Sequence, residues 1–141
     1  MRAFTDQERQ NFLADIHVGV LSVAAEQGRP PASVPIWYDY TPGGNILINT
    51  GAASRKARLI KEAGAVTLVV QRDEPPYQYV VVEGTVVDTT NDGVPTEVRE
   101  AIAIRYLGED AGRAFAEGMR DVPSVLFTVR PDRWITANYD E

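Results

Sequence analysis

Hydrophobic residues recur in short alternating or β-branched stretches along most of the chain, and turns rich in glycine and proline separate these stretches. Alternation with a period of two, together with many valines, predicts half-buried β-strands. Pro35 lacks a backbone donor and predicts an edge strand, whereas Gly84 predicts a bulge or bend inside a long strand. The predicted strands cover residues 17–25, 32–40, 45–49, 65–71, 77–89, 124–129 and 133–138.

Helical patterns lie before and between these strands, and capping residues mark their ends. Thr5 and Glu8 fit a capping box at the start of the first helix. Ser54 is suited to cap the second helix, and Gly64 to end it. Gly108 separates the last two helices. The four predicted helices run from residue 6 to about 13, from 55 to 63, from 96 to 106 and from 111 to 119.

The connections between the predicted strands decide the fold class. The turns that join residues 17–25, 32–40 and 45–49 are too short for parallel crossovers, which need about a dozen residues or more. The sheet should therefore be antiparallel. Several short strands with interspersed helices predict an α+β fold of barrel type. A length of 141 residues suffices for one domain with a real core, so residues 1–141 are predicted to form a single domain.

The second helix begins with a cluster of cations, Arg55, Lys56 and Arg58, directly after its cap Ser54. Cations at a helix N-terminus oppose the helix dipole, so their placement suggests a bound anion, and phosphate suits the free N–H groups there. Residues 55 and 58 share one face of the helix and residue 56 is offset, so only one or two of the three cations should reach such an anion. The alternative is a solvated basic face, with Arg58 paired to Glu62 four residues later.

Composition narrows the function. The net charge of −6 argues against non-specific binding to nucleic acid. The absence of cysteine excludes disulfides, thiol catalysis and cysteine-ligated metals, and one histidine excludes sites with several histidine ligands. That histidine, His17, is either a proton donor or a structural residue at a strand start. No apolar run is long enough to span a membrane, and the polar N-terminus carries no secretory signal, so a cytoplasmic location is expected.

A series of short motifs occurs in a characteristic order over nearly the whole chain. In sequence order they are GVLSV at 19–23, PASVPIWY at 31–38, GNILINT at 44–50, SRKARLI at 54–60, VVVEGTV at 80–86, RYLG at 105–108 and RPDRW at 130–134. The ordered set resembles the pyridoxamine-5′-phosphate-oxidase-like split β-barrel family, the flavin/deazaflavin oxidoreductases. The resemblance implies a split β-barrel with peripheral helices. It also implies a homodimer that binds FMN, or the deazaflavin F420, in a groove at the dimer interface.

The resemblance also implies which residues bind the cofactor. Lys56 matches the position that holds the cofactor phosphate, with Ser54 and Arg55 beside it. The other implied cofactor-binding residues are Ile48, Asn49 and Thr50 on one strand and Ser33, Val34, Pro35, Ile36 and Trp37 on another. For Trp37 the alternative is a core or interface role, because aromatic residues are also enriched at interfaces.

In such proteins the cofactor carries the reactive chemistry and the protein binds, orients and shields it. This division of labour fits a chain without cysteine and with one histidine, and no catalytic residue is assigned. The leading hypothesis is an F420-dependent reductase that transfers a hydride to a small organic acceptor. F420 is preferred because an arginine-rich, lysine-poor composition is typical of the GC-rich bacteria that make it. The alternatives are an FMN-dependent oxidoreductase and a non-catalytic carrier of flavin, F420 or heme.

Overall fold

The computed structural model of the chain describes residues 1–140. Its helices are α1 (Asp6–Ala14), α2 (Arg55–Ala63), α3 (Thr96–Leu107) and α4 (Glu109–Gly118). Its strands are β1 (Gly19–Val23), β2 (Ala32–Ile36), β3 (Asp39–Tyr40), β4 (Ile46–Gly51), β5 (Ala65–Arg72), β6 (Gln78–Thr90) and β7 (Ser124–Asn138).

The strands form one sheet in the order β2-β1-β5-β6-β7-β4-β3, and every neighbouring pair is antiparallel. The sheet curls into a half-barrel with four helices, which confirms the predicted α+β split-barrel fold. β2 lies at one edge, as Pro35 predicted. The capping box of α1 and the bounds of α2 are also confirmed. None of the helices within residues 1–140 is long and apolar enough to cross a bilayer.

Three of the predicted strands are divided differently in the structure, and the ends of the others shift by at most two residues. Residues 32–40 are not one strand but two, β2 and β3, which lie at opposite edges of the sheet. The chain leaves β2 after Ile36, and the Tyr38 backbone N–H donates to the Tyr106 hydroxyl at 3.2 Å rather than to a neighbouring strand. Residues 124–129 and 133–138, predicted as separate strands, are joined in the single strand β7.

A bulge makes this continuity of β7 possible. Glu83 pairs with Arg133 and Gly84 with Pro131, so that Asp132 is the extra residue on β7. A bulge accommodates proline, which cannot donate to the ladder. Gly84 confirms the predicted irregularity, because a Cβ at this position would lie 2.8 Å from the Arg130 carbonyl oxygen and 2.5 Å from Val129 Cγ1.

The concave face of the sheet encloses the core. Leu21, Leu68, Val82 and Phe127 contribute one buried residue from each of four strands. α2 packs against this core through its buried residues Ala57, Leu59 and Ile60. The buried face of α2 fixes the helix, and with it the position of the cations at its N-terminal end.

Candidate functional site

A pocket of about 490 Å³ lies where β4 meets the N-terminal end of α2, and the helix pair α3–α4 forms its opposite wall. Its volume falls within the range of about 300–1,000 Å³ that is usual for small-molecule sites. The lining combines two cations, Lys56 and Arg99, with a few polar groups and a larger apolar surface. A mostly apolar lining with a small number of polar groups is typical of small-molecule sites.

A larger groove of about 660 Å³ lies on the outer face of the sheet, with Glu83, Asp132 and Arg133 in its lining. It is more open than the pocket, and its charges are paired. Arg133 Nε lies 3.7 Å from Glu83 Oε1, and Asp132 Oδ2 accepts a hydrogen bond of 2.5 Å from the Thr85 hydroxyl. The Arg130 Nε–H also donates to Asp132 Oδ1 at 2.8 Å. We therefore place the candidate site in the pocket beside α2.

Lys56 supplies the charge at the β4–α2 end of the pocket. It is half-buried, and in the described part of the chain no carboxylate pairs with it. The first turn of α2 contains no acidic residue. The Ser54 hydroxyl accepts from the Ala57 N–H at 3.2 Å and donates to the Gly51 carbonyl at 2.8 Å. Helix geometry leaves the N–H groups of Arg55 and Lys56 without an intrahelical acceptor, so this end of α2 favours an anion.

Arg55 and Arg58 point away from the pocket, toward the turn between β1 and β2. Arg55 donates to both carboxylate oxygens of Glu26, from Nε at 3.0 Å and from Nη2 at 2.6 Å. Arg58 donates to Glu26 Oε1 at 3.0 Å and lies 3.6 Å from Glu62 Oε1. The hydrogen bonds from Arg55 and then Arg58 hold the pKa of Glu26 well below its usual range. The pairing of Arg58 with Glu62 is confirmed, and Lys56 is offset from the two arginines as helical geometry predicted.

Aromatic side chains form part of the pocket wall. The Trp37 ring stacks on Tyr106 with centroids 5.0 Å apart and an interplanar angle of 8°, and it meets Phe115 of α4 at 5.7 Å. The Tyr106 hydroxyl donates to the His17 carbonyl oxygen at 2.6 Å, which anchors this stack to the chain segment before β1. Tyr106 covers one face of the Trp37 indole, and Trp37 contributes to the pocket lining beside this stack.

Asn49 lines the pocket from β4, and its side chain is fixed by three contacts. Its Nδ2 donates to the Ser124 hydroxyl at 3.1 Å and to the Val125 carbonyl at 3.0 Å. Its Oδ1 accepts from Arg99 Nε at 3.4 Å. Arg99 of α3 also donates to the carbonyl oxygens of Met119 and, at 3.0 Å, of Val122. Arg99 therefore ties α3 to the segment between α4 and β7 and is a pocket residue that sequence reasoning missed.

The structure gathers six of the eleven sequence-predicted site residues around the pocket: Pro35, Ile36, Trp37, Asn49, Thr50 and Lys56. The other five lie outside its lining. Ser33 exchanges a 2.9 Å hydrogen bond with Ser22 across β2 and β1, Val34 packs against the core, and Ile48 is buried in the core. Ser54 caps α2, and Arg55 is bound to Glu26.

His17 has a structural setting outside the pocket. Its Nε2–H donates to the Phe12 carbonyl oxygen at 2.9 Å, and its ring stacks on Phe12 at a centroid distance of 4.5 Å. Burial lowers the pKa of the imidazole below its ordinary value of 6.5. Within residues 1–140, no three His, Asp or Glu side chains come together in a group that could hold a metal ion. The pocket lining contains neither a histidine nor a carboxylate.

Comparison with solved structures places several cofactor-binding proteins on this fold. A protein named F420 reductase is 25% identical, with a TM-score of 0.70 over 89% of this chain and 94% of the other. A FAD-binding protein from Mesorhizobium loti is 19% identical, with a TM-score of 0.66 over 96% and 93% of the two chains. The heme storage protein HutZ from Vibrio cholerae is 16% identical, with a TM-score of 0.63 over 92% and 87%.

Among curated proteins, none matches the sequence. The sequence model of the pyridoxamine 5′-phosphate oxidase family matches residues 5–138, which is nearly the whole chain. This match includes every residue that lines the pocket. The chain therefore belongs to the pyridoxamine 5′-phosphate oxidase family, a flavin-binding family that includes oxidoreductases.

Proposed function

We propose that the chain is an F420-dependent reductase that binds the deazaflavin cofactor in the pocket between β4, α2 and the α3–α4 pair. The observation that carries the proposal is the placement of Lys56, a half-buried cation with no carboxylate partner in residues 1–140, at the end of a largely apolar pocket. A cation left without a protein counter-ion beside a helix N-terminus is a favourable position for a ligand phosphate.

The other pocket residues fit the remainder of such a cofactor. Trp37, Phe115 and Ile102 provide apolar surface for a planar ring, and the fixed Asn49 and Thr50 present polar groups at the strand end. A bound deazaflavin supplies the hydride chemistry, whereas the protein binds it, orients it and excludes water. Because the pocket lining contains neither a histidine nor a carboxylate, the proton that accompanies the hydride comes from solvent in this proposal.

F420 is preferred over FMN because the F420 reductase among the solved structures is more similar in sequence than the FAD-binding protein. An FMN-dependent oxidoreductase stays the first alternative. The second is a carrier that binds its cofactor without turnover, and the lack of a histidine or carboxylate in the pocket lining favours it. A heme carrier would need another iron ligand, since His17 lies outside the pocket lining and its ring stacks on Phe12. The cytoplasmic location stays a prediction.

We also propose that the protein is a homodimer that associates through the outer face of the sheet. A row of apolar residues crosses five strands there, each paired directly with the next: Pro35, Val20, Val69, Val81 and Ile135. Val20 is 42% exposed and Ile135 is 48% exposed. Pro35 belongs both to this row and to the pocket lining, so a second copy seated on the row would border the cofactor site. This continuity favours a second copy of the chain as the partner.

The oligomeric state tests the dimer directly. The wild type is expected to sediment at twice the chain mass of 15.5 kDa, and Ile135→Arg at the chain mass itself. Leu107→Arg replaces another exposed residue away from the row and serves as the control. A monomeric wild type would contradict the dimer.

Parallel titration of cofactor-free protein with F420 and FMN tests the cofactor. Tighter binding of F420, followed by oxidation of reduced F420 when an organic acceptor is added, is the expected result. Binding of FMN alone would move the function to a flavoprotein oxidoreductase. Tight binding of either compound without turnover on any acceptor would favour the carrier. If the protein binds neither F420 nor FMN, the proposed cofactor site is refuted.

A further inference from the structure

The turn between β1 and β2 brings a carboxylate against the cationic helix, although Glu26 precedes Arg55 by 29 residues in sequence. Glu26 binds Arg55 through two hydrogen bonds, at 3.0 and 2.6 Å, and Arg58 through a third at 3.0 Å. Pairs in which both oxygens of a carboxylate bind one guanidinium are geometrically specific and stronger than ordinary hydrogen bonds. The contact therefore orients Arg55 away from the pocket.

The charges at this end of α2 are only partly paired. The first two turns of the helix present three positive charges, on Arg55, Lys56 and Arg58. Glu26 and Glu62 bring two negative charges within ion-pair distance of the two arginines. Lys56 has no carboxylate partner among the described residues, and it lines the pocket together with Arg99 of α3.

We infer that Glu26 is a specificity-determining residue that withholds Arg55 from the ligand and so weakens the preference of the pocket for a doubly charged phosphate group. The inference rests on the proposed cofactor site and deepens it. A phosphomonoester such as that of FMN carries close to two negative charges at neutral pH, whereas the phosphodiester of F420 carries one. Lys56, Arg99 and the helix N-terminus are available to either group. Adding Arg55, which would favour the more highly charged phosphate, means breaking its two hydrogen bonds to Glu26.

Glu26→Gln isolates this effect, because it removes the negative charge and retains a side chain of the same size. Glu62→Gln is the matched control, since Glu62 pairs with Arg58 but not with Arg55. Glu26 is partly exposed and Glu62 is exposed, and ion pairs at such positions contribute little to stability, so both variants are expected to fold. Three ligands are titrated at one ionic strength: riboflavin, which has no phosphate, FMN, and F420.

The dissociation constant for riboflavin divided by that for FMN measures how much the phosphate contributes to the affinity. Glu26→Gln is expected to increase this ratio about two- to fivefold over the wild type, which is the range that an exposed charge contact supplies. The affinity for F420 should rise less, and Glu62→Gln should leave the ratio near that of the wild type. The selectivity of the wild type for F420 over FMN would then fall in Glu26→Gln.

The experiment distinguishes a failure of the inference about Glu26 from a failure of the proposed cofactor site. If the wild type binds at least one of the ligands but Glu26→Gln and Glu62→Gln change the phosphate contribution equally or not at all, Glu26 does not set specificity, although the site stands. If the wild type binds none of the three ligands, the proposed cofactor site is refuted and the role of Glu26 falls with it.

Discussion

At Gly112, α4 packs tightly against the backbone of α3, and the two helices together form one wall of the pocket. A Cβ built at Gly112 would lie 2.5 Å from both the backbone nitrogen and the Cα of Ile104, and 2.8 Å from the carbonyl carbon of Ala103. Real Cβ atoms essentially never come this close to backbone atoms. Gly112→Ala must therefore move α4 away from α3, and no side-chain rotation can relieve the contact.

Two opposing contributions determine how much Gly112→Ala changes the free energy of unfolding. Alanine has a higher helix propensity than glycine, which stabilises a helix interior by about 1 kcal/mol. Overpacking a well-packed contact costs typically about 1–3 kcal/mol, and a clash with backbone lies at the upper end of that range. The net loss in the free energy of unfolding should be about 2 kcal/mol, which corresponds to a fall in Tm of about 5–8 °C.

Gly118→Ala is the matched control within the same helix, because nothing lies within 4 Å of a Cβ at Gly118. This variant should be as stable as the wild type or more stable by up to about 1 kcal/mol. Urea denaturation of the three proteins measures the free energies of unfolding. Cofactor affinity should also fall in Gly112→Ala, because the displaced α4 carries Phe115 of the pocket wall. A Gly112→Ala protein as stable as Gly118→Ala would refute the reasoning.

Two further predictions concern residues near the pocket. Arg99→Lys removes the guanidinium that donates hydrogen bonds to the Asn49 side chain and to the Met119 and Val122 carbonyl oxygens. We expect urea denaturation to show a loss of about 1–3 kcal/mol in the free energy of unfolding. Burial lowers the pKa of His17 in the folded state, so protonation favours the unfolded state. The stability that depends on neutral His17 is therefore fully present above about pH 6.5 and declines as the pH falls below it. His17→Gln should flatten this decline below about pH 6.5, and an unchanged urea-midpoint profile would contradict the assignment.

Local sequence signals predicted much of the fold, because the devices concerned act over a few residues. The capping box of α1, the Ser54 and Gly64 ends of α2 and the bulge at Gly84 are all confirmed. The break between β2 and β3 was not predicted, since it depends on Tyr106, which lies 68 residues from Tyr38. The continuity of β7 was also missed, because a proline normally ends a strand and the bulge that accommodates it depends on pairing with β6.

The candidate site was predictable to a similar extent. Helical periodicity separated Lys56 from Arg55 and Arg58, and the structure has this arrangement. Helical periodicity carries no information about which carboxylate pairs with Arg55, because Glu26 lies on a distant turn of the chain. The Arg55–Glu26 ion pair is therefore seen only in the folded chain. Arg99 was missed for the same reason, because its acceptors come from β4 and from the segment after α4.

The lysines of the chain allow a direct test of the central claim that the pocket at the N-terminal end of α2 holds the cofactor. The chain contains two lysines, Lys56 and Lys61, and both lie on α2. Lys56 lines the pocket at the start of the helix, whereas Lys61 is exposed in the last turn. The measurement is the dissociation constant for F420 of the wild type, Lys56→Ala and Lys61→Ala at the same ionic strength.

We expect Lys56→Ala to weaken F420 binding by about tenfold or more, because a charge-assisted contact to phosphate contributes about 1.5–3 kcal/mol. Lys61→Ala should bind F420 within about twofold of the wild type, since an exposed charge in the last turn contributes little. Equal effects of the two substitutions would show that α2 acts only through its overall charge. Wild-type affinity in Lys56→Ala would contradict the placement of the cofactor in this pocket.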